Sequence, residues 1–399
     1  MTPLVMFLAI AVKSDHTALR NGCDEGADTL ATLSAGAPVT IRFALSGGET
    51  PCYKVAVEQN GRTIEGYLPA SEIDGLDQFD QDRREAATVG QSAAGVREMM
   101  NAMPAIAPKS ASAREAARLI ESSQPSRALE LLRPDLEHSH DPNLFALAGF
   151  AAWRADQARL ALDYWKTSLE LKPNAGLEQV YRRVLRETAG DQSTERLVGM
   201  RVALRYDSAA VPAETARLML AALDQEFTRV SAELGCAAEE RIAAIVQSPE
   251  AYRKTVDVAE WNAGQFDGRI RVPVSGRMDD SVRRVFAHET VHACLAMLGR
   301  WPAWFHEGLA QKLSGDSVTV AMRAQIAAET HRGKLPRLEN LGPDWSHLDA
   351  AHARLAYAES LEAIEMFYEN YAQFGIANLL RNPDRLASIA ADLDKRLGL

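Results

Sequence analysis

The chain lacks a hydrophobic run long enough to cross a membrane. Its only extended apolar stretch, Leu4–Val12 (LVMFLAIAV), has about half the ~20 residues that a spanning helix needs. No lysine and arginine block occurs either: 44 basic residues stand against 54 acidic ones, a formal charge of −10. A nucleic-acid binder working mainly by phosphate neutralisation is thereby excluded. Cysteine is scarce, with Cys23, Cys52, Cys236 and Cys294 and no CxxC, which excludes a cysteine zinc knuckle and a disulfide-stapled miniprotein. Two states remain open for these thiols: the pairs Cys23–Cys52 and Cys236–Cys294, or four reduced and buried side chains. What is present is ordinary. Hydrophobic residues make up 47% and charged residues 25% of 399, enough for real cores in roughly two to four domains of ~150 residues.

Met1-Thr2-Pro3 carries no basic charge, and no small-x-small cleavage site comes before Lys13. The apolar run is therefore a truncated or atypical signal, or a short element of the first domain. Together with the even cysteine count it sets an extracytoplasmic (periplasmic or secreted) location as the expectation, with the cytoplasm as the alternative.

Strand signals come first. Val39, Ile41 and Phe43 alternate with polar residues, Tyr53, Val55 and Val57 do the same, and Asn60-Gly61 predicts a tight turn into Thr63–Leu68. Several short strands in under sixty residues suggest a small all-β barrel. Gln81–Ala111, rich in Ala, Ser, Gln and Pro, reads as a linker. From Ser112 the period is helical: Ala113–Ser122, Ser126–Leu136, Asn143–Arg154, Gln157–Leu171 and Leu177–Thr188. Gly149, Ala161 and Pro173 lie twelve residues apart, small residues that let paired helices approach and a proline that closes the second. Beyond Gly190, strands at Val202–Tyr206, Ile242–Val246 and Gly268–Val274 and a long helix at Ala213–Leu234 precede a mainly helical end, an α+β domain. The expected division is an N-terminal segment (1–27), barrel (28–80), linker (81–111), helical repeats (112–190) and α+β domain (197–399).

His288-Glu289-Thr290-Val291-His292 is an HExxH sequence. Asp279 or Asp280 can cap a helix that runs without Gly or Pro through Leu298, and Gly299 with Pro302 ends it. Four residues at 3.6 per turn put both imidazoles on one face, where two nitrogens can reach one ion. A catalytic zinc site takes three protein ligands, so a third is expected on a nearby helix. Trp304-Phe305-His306-Glu307-Gly308-Leu309-Ala310 offers two ligand-type side chains, His306 and Glu307, and adjacent helical residues point about 100° apart, so one of them should face the metal.

These residues resemble the gluzincin metallopeptidases, most closely the bacterial peptidase-MA-like family, through HExxH, Pro302-Ala303-Trp304 and Glu307-Gly308-Leu309-Ala310. The resemblance spans roughly 197–399, and no Gly-x-Met-Glu-Asn exopeptidase motif occurs. It implies a zincin-like (thermolysin-like) catalytic domain that binds one zinc ion through His288, His292 and Glu307. Glu289 becomes the general base that takes a proton from the attacking water and delivers it to the leaving amine. Tyr357 is then the candidate oxyanion stabiliser, against its reading as an ordinary helical tyrosine, with His331, His347 and His352 unranked beside it. A carboxylate, Glu359 or Asp349, is expected to orient a zinc-bound imidazole. Gly268–Val274 is expected to form the sheet edge beside the active-site helix, open to an extended substrate. The stretch through Gly66-Tyr67-Leu68-Pro69 resembles a bacterial Src-homology-3-like domain, and the helical segment resembles tetratricopeptide repeats. The expected function is thus a zinc endopeptidase acting on a peptide or protein, its first domains recruiting a protein or cell-wall partner. The alternative is an interaction scaffold with a structural or vestigial zinc site.

Overall fold

The structure is a computed structural model that describes residues 10–22, 26–45, 52–59, 62–76, 110–189, 194–255, 265–274, 276–342, 345 and 350–399. The Asn60-Gly61 turn, residues 81–109 of the expected linker, Cys23, His347, Asp349 and all but the end of the Leu4–Val12 run lie outside these residues. No helix among them is long and apolar enough to cross a membrane.

An N-terminal β region comes first. Strands β1 (Ala11–Val12), β2 (Thr17–Arg20), β3 (Thr29–Leu33), β4 (Val39–Leu45), β5 (Cys52–Gln59), β6 (Arg62–Pro69) and β7 (Ile73–Asp74) form a five-stranded antiparallel sheet, order β3-β2-β6-β5-β4, and a β1–β7 ribbon. The region begins before residue 28, because Thr17 and Leu19 already alternate inward and pair with β3. Val12, Leu19, Val55, Val57 and Leu68 form its core.

Five helices follow: α1 (Ala111–Glu121), α2 (Pro125–Leu136), α3 (Pro142–Arg154), α4 (Ala158–Leu171) and α5 (Ala175–Ala189). The small-residue signal has a direct cause here. A Cβ on Gly149 would stand 2.2 Å from the Trp165 indole, so only glycine lets α3 and α4 close. Trp165 is fully buried and donates its Nε1–H to the Ala146 carbonyl at 3.2 Å.

The remainder builds a five-stranded sheet and a helical layer. Strands β8 (Thr194–Val198), β9 (Val202–Asp207), β10 (Ile242–Gln247), β11 (Gln265–Phe266) and β12 (Ile270–Pro273) run in the order β11-β12-β10-β9-β8, with β9, β10 and β12 parallel. Around it lie α6 (Ala213–Leu234), α7 (Pro249–Thr255), α8 (Asp280–Leu298), α9 (Ala303–Ser314), α10 (Val320–His331), α11 (Ala350–Arg381) and α12 (Leu386–Arg396). One expectation is corrected. β12 is not the sheet edge, because the turn at Asp267-Gly268 folds β11 back onto Ile270 and Arg271.

Both faces of this sheet are covered. Val202, Leu204, Tyr206, Ile270 and Val272 point into the apolar core shared with α6 and α8. Their alternates Arg205, Arg269 and Arg271 are buried as well, beneath the helical hairpins. There Arg183 reaches Asp267 at 3.4 Å, Glu187 pairs with Arg271 and stands 3.4 Å from Arg269, and Asp156 takes Arg205 at 3.1 Å. Arg269 also stacks over Trp153, 4.2 Å from the ring centre. Asp267 and Glu187 stay below the usual carboxylate range, since the surrounding guanidinium groups outweigh the burial that opposes their charge. Breaking such a pair leaves a buried charge alone and costs about 3–5 kcal/mol. The backbone N–H groups of Ser126 and Arg127, at the start of α2, also donate to Glu240 of the sheet domain, both at 2.9 Å.

Of the two cysteine states, the structure has the bonded one. Cys236, just past α6, is joined across 58 residues to Cys294 in the C-terminal part of α8. Chain-entropy reasoning assigns such a loop roughly 4 kcal/mol. Cys52 is disulfide-bonded too.

Glu359 on α11 is fully buried, and neither of its carboxylate oxygens has a hydrogen-bond partner among the described residues. Burial, with the Asp394 carboxylate nearby, pushes its pKa from 4.5 up to about 8. A raised acid favours the folded state only while protonated. Its contribution is therefore fully present below pH ~4.5 and lost as pH rises toward 8, at roughly 1.4 kcal/mol for each pH step of one within that window. Melting curves should show Glu359→Gln gaining on wild type between pH 5 and 8. A pH-independent difference would mean the carboxyl titrates normally.

Candidate metal centre

Asp279 opens α8 by accepting the Val282 amide at 2.9 Å, and Gly299 closes it, so the HExxH residues lie mid-helix as their spacing predicts. Phe286, Val291, Cys294 and Leu295 are among the residues that bury the middle of α8. His288 and His292, partly exposed, stand one turn apart on it with ring centres 4.8 Å apart. Pro302 starts α9 with extended backbone, and Gly315, in the left-handed region, ends it.

Glu307 on α9 meets both imidazoles. Its Oε2 lies 3.4 Å from His288 Nε2 and its Oε1 3.6 Å from His292 Nε2. The three donor atoms all fall within 4.8 Å of one another, the one such group found among the described residues. His306 faces away from this point: its Nδ1 lies 3.3 Å from the other nitrogen of His292, Nδ1. The neighbours therefore approach one ring from two sides.

Glycine at 308 has a steric cause. A Cβ there would sit 2.4 Å from the Ser360 carbonyl and 2.6 Å from Ile364, so its absence lets α9 press against α11. Buried Gln311 then bridges the helices, donating to the Glu307 and Tyr357 carbonyls at 3.1 and 3.0 Å. Gln311, one helical turn past Glu307, thus ties α9 to α11 at the Tyr357 backbone, and the Tyr357 ring stands edge-on against Trp345.

The charges match the geometry. Burial opposes the Glu307 charge, yet His292 and His288 outweigh it and hold the carboxyl well below its usual range. Burial likewise opposes protonation of His288, but the hydrogen bond and charge of Glu307 raise its pKa above the ordinary value. Glu289 is 4% exposed.

The structure gathers His288, His292 and Glu307, sets Glu289 beside them on α8, and leaves His331 and His352 exposed. Neither oxygen of Glu359 hydrogen-bonds an imidazole, and burial, with the nearby charge of Asp394, raises its pKa. Sequence reasoning missed two groups. Tyr252 of α7 is buried, and its hydroxyl is pushed well above its usual range by burial and by the nearby charge of Glu289. Asp316, just past α9, is raised by burial despite His288 and Arg284 nearby. Neither stands in a motif, so no local signal marks them. The chain matches no family model, no curated protein and no solved structure.

Alanine normally stabilises a helix over glycine by about 0.5–1 kcal/mol. At Gly308 the sign should reverse, with overpacking costing about 1–3 kcal/mol and metal affinity falling as Glu307 moves. Thermal melting of Gly308→Ala with a chelator-competition titration checks both. A more stable variant would refute the close α9–α11 contact.

Proposed function

We propose that the chain is a zinc metallopeptidase of the gluzincin type, an endopeptidase with Glu289 as general base. The observation that carries this reading is the convergence of three donors from two helices. A tetrahedral ion with bonds of ~2.0–2.1 Å spaces its ligand atoms by about 3.4 Å. The carboxylate–imidazole separations here are 3.4 and 3.6 Å. The donor set, two imidazoles and a carboxylate kept ionised, also fits zinc.

Bound there, zinc would supply Lewis acidity and acidify a water molecule. His288, His292 and Glu307 would hold the ion, and a site with three protein ligands leaves a position for water or substrate. Glu289 follows His288 on the same helix and can accept the proton of the attacking water and return it to the departing amine. Low exposure at Glu289 strengthens its field on nearby charge. Tyr357 remains the candidate for stabilising the oxyanion. An extended substrate finds no free edge on β12, since β11 covers it.

In this reading the β region is a Src-homology-3-like module, the helices are tetratricopeptide-like repeats, and the last domain is zincin-like. The first two modules recruit or position a peptide, protein or cell-wall partner. The Cys236–Cys294 bond favours an oxidising, extracytoplasmic compartment. One feature favours a scaffold role in addition: a cavity of about 430 Å³ among α1, α2 and α3, with Ala113, Leu144, Leu147 and Phe150 in its wall and Asp135 and His138 at its rim.

Wild type, Glu289→Gln and Glu307→Gln, each supplied with zinc, are compared on an unbiased peptide mixture with mass spectrometry reading every cut. Glu289→Gln should keep its zinc and lose cleavage by roughly 10²–10⁴-fold. Glu307→Gln should lose the metal. Equal cutting by wild type and Glu289→Gln, or a wild type that takes up no zinc, overturns the reading.

A further inference from the structure

We propose that His306 is a positioning residue that accepts a hydrogen bond from His292 and thereby fixes the tautomer in which His292 presents a bare Nε2 to the metal. This role rests on the metal-centre reading above and falls to a side chain outside its ligand set.

The ring nitrogens decide the direction of the bond. His292 Nε2 faces Glu307 Oε1 at 3.6 Å, and Nδ1 of the same ring lies 3.3 Å from His306 Nδ1. Two imidazole nitrogens attract at that distance only when one carries hydrogen and the other does not. A metal ligand must present an unprotonated nitrogen, so neutral His292 carries its hydrogen on Nδ1 and is the donor. His306 then accepts at Nδ1, which puts its own hydrogen on Nε2. The ring planes are inclined by 31° with centres 5.5 Å apart, an offset arrangement that brings these two nitrogens together.

The backbone explains why one helical turn can serve both purposes. His306 and Glu307 are consecutive near the start of α9, about 100° apart around its axis. Glu307 addresses the Nε2 side of His292 and His306 the Nδ1 side, so docking α9 against α11 at Gly308 positions both contacts. Of the two carboxylates expected for this role, Glu359 has no hydrogen-bond partner among the described residues and Asp349 lies outside them. An imidazole acceptor is neutral, so it orients His292 without adding a further charge beside Glu307.

Substitution separates the hydrogen bond from packing. Asparagine places its Oδ1 close to where histidine has Nδ1, whereas leucine fills the space without an acceptor. Zinc affinity is measured by chelator competition on wild type, His306→Asn and His306→Leu. In parallel, ¹⁵N-histidine NMR of the metal-free proteins at mildly alkaline pH reads the His292 tautomer. The expected result is zinc binding weakened about 10–100-fold in His306→Leu. In that variant the His292 signal should shift toward a mixture of tautomers. His306→Asn should return to within a few-fold of wild type and keep the Nδ1–H form. Leucine and wild type binding zinc equally, or asparagine failing as badly as leucine, overturns the positioning role while leaving the metal centre intact. A wild type that binds no zinc overturns the metal centre and this role together.

Discussion

A sheet whose charged face has no water to meet organises this molecule. On β9 and β12, apolar residues point toward α6 and α8, while Arg205, Arg269 and Arg271 point the other way. In a half-exposed sheet those arginines would be solvated. Here they are covered, and a buried guanidinium persists only beside carboxylates that balance its charge. Asp156 and Glu187 come from the helical hairpins, and Asp267 from the turn before β12. The hairpins are consequently part of the electrostatic structure of the sheet domain. Arg154 belongs to the same seam: burial lowers its pKa to about 10, which leaves it charged at neutral pH, and its Nη1 is held by the Ile120 carbonyl.

The candidate metal centre stands on the opposite, apolar side of that sheet, and its precision comes from close packing. α8 is pinned by a core of large side chains and by the Cys236–Cys294 bond two residues past His292. α9 is held at short range to α11 by the missing side chain at Gly308 and by Gln311 bridging two carbonyls. Such constraints place three donor atoms within 4.8 Å without requiring any of the three side chains to be fully buried. Rigid helices carrying the donors reduce the ordering cost of binding an ion. Buried Tyr252 feels both groups of charge, Glu289 of α8 and Arg271, Asp267 and Arg183 of the seam.

Within this frame the metallopeptidase reading and the role of His306 draw on one geometric fact, that two consecutive residues of α9 address opposite nitrogens of one imidazole.

Local signals were legible in the sequence because their causes lie within a few residues. Asp279 and Gly299 delimit α8, Ala213–Leu234 is helical over the residues that its pattern marks, and the strands expected at Val202, Ile242 and Tyr53 all form. HExxH spacing on an uninterrupted helix sufficed to put two imidazoles on one face. Four matters needed the tertiary structure: which of His306 and Glu307 meets both imidazoles, the bonded state of Cys236 and Cys294, the strand covering β12, and the burial of the sheet's arginines. Each depends on groups brought together from distant parts of the chain, as Glu187 meets Arg271 across 84 residues. A periodic pattern states which face of an element is polar. Whether that face meets water, a carboxylate or a metal is decided by what the fold packs against it.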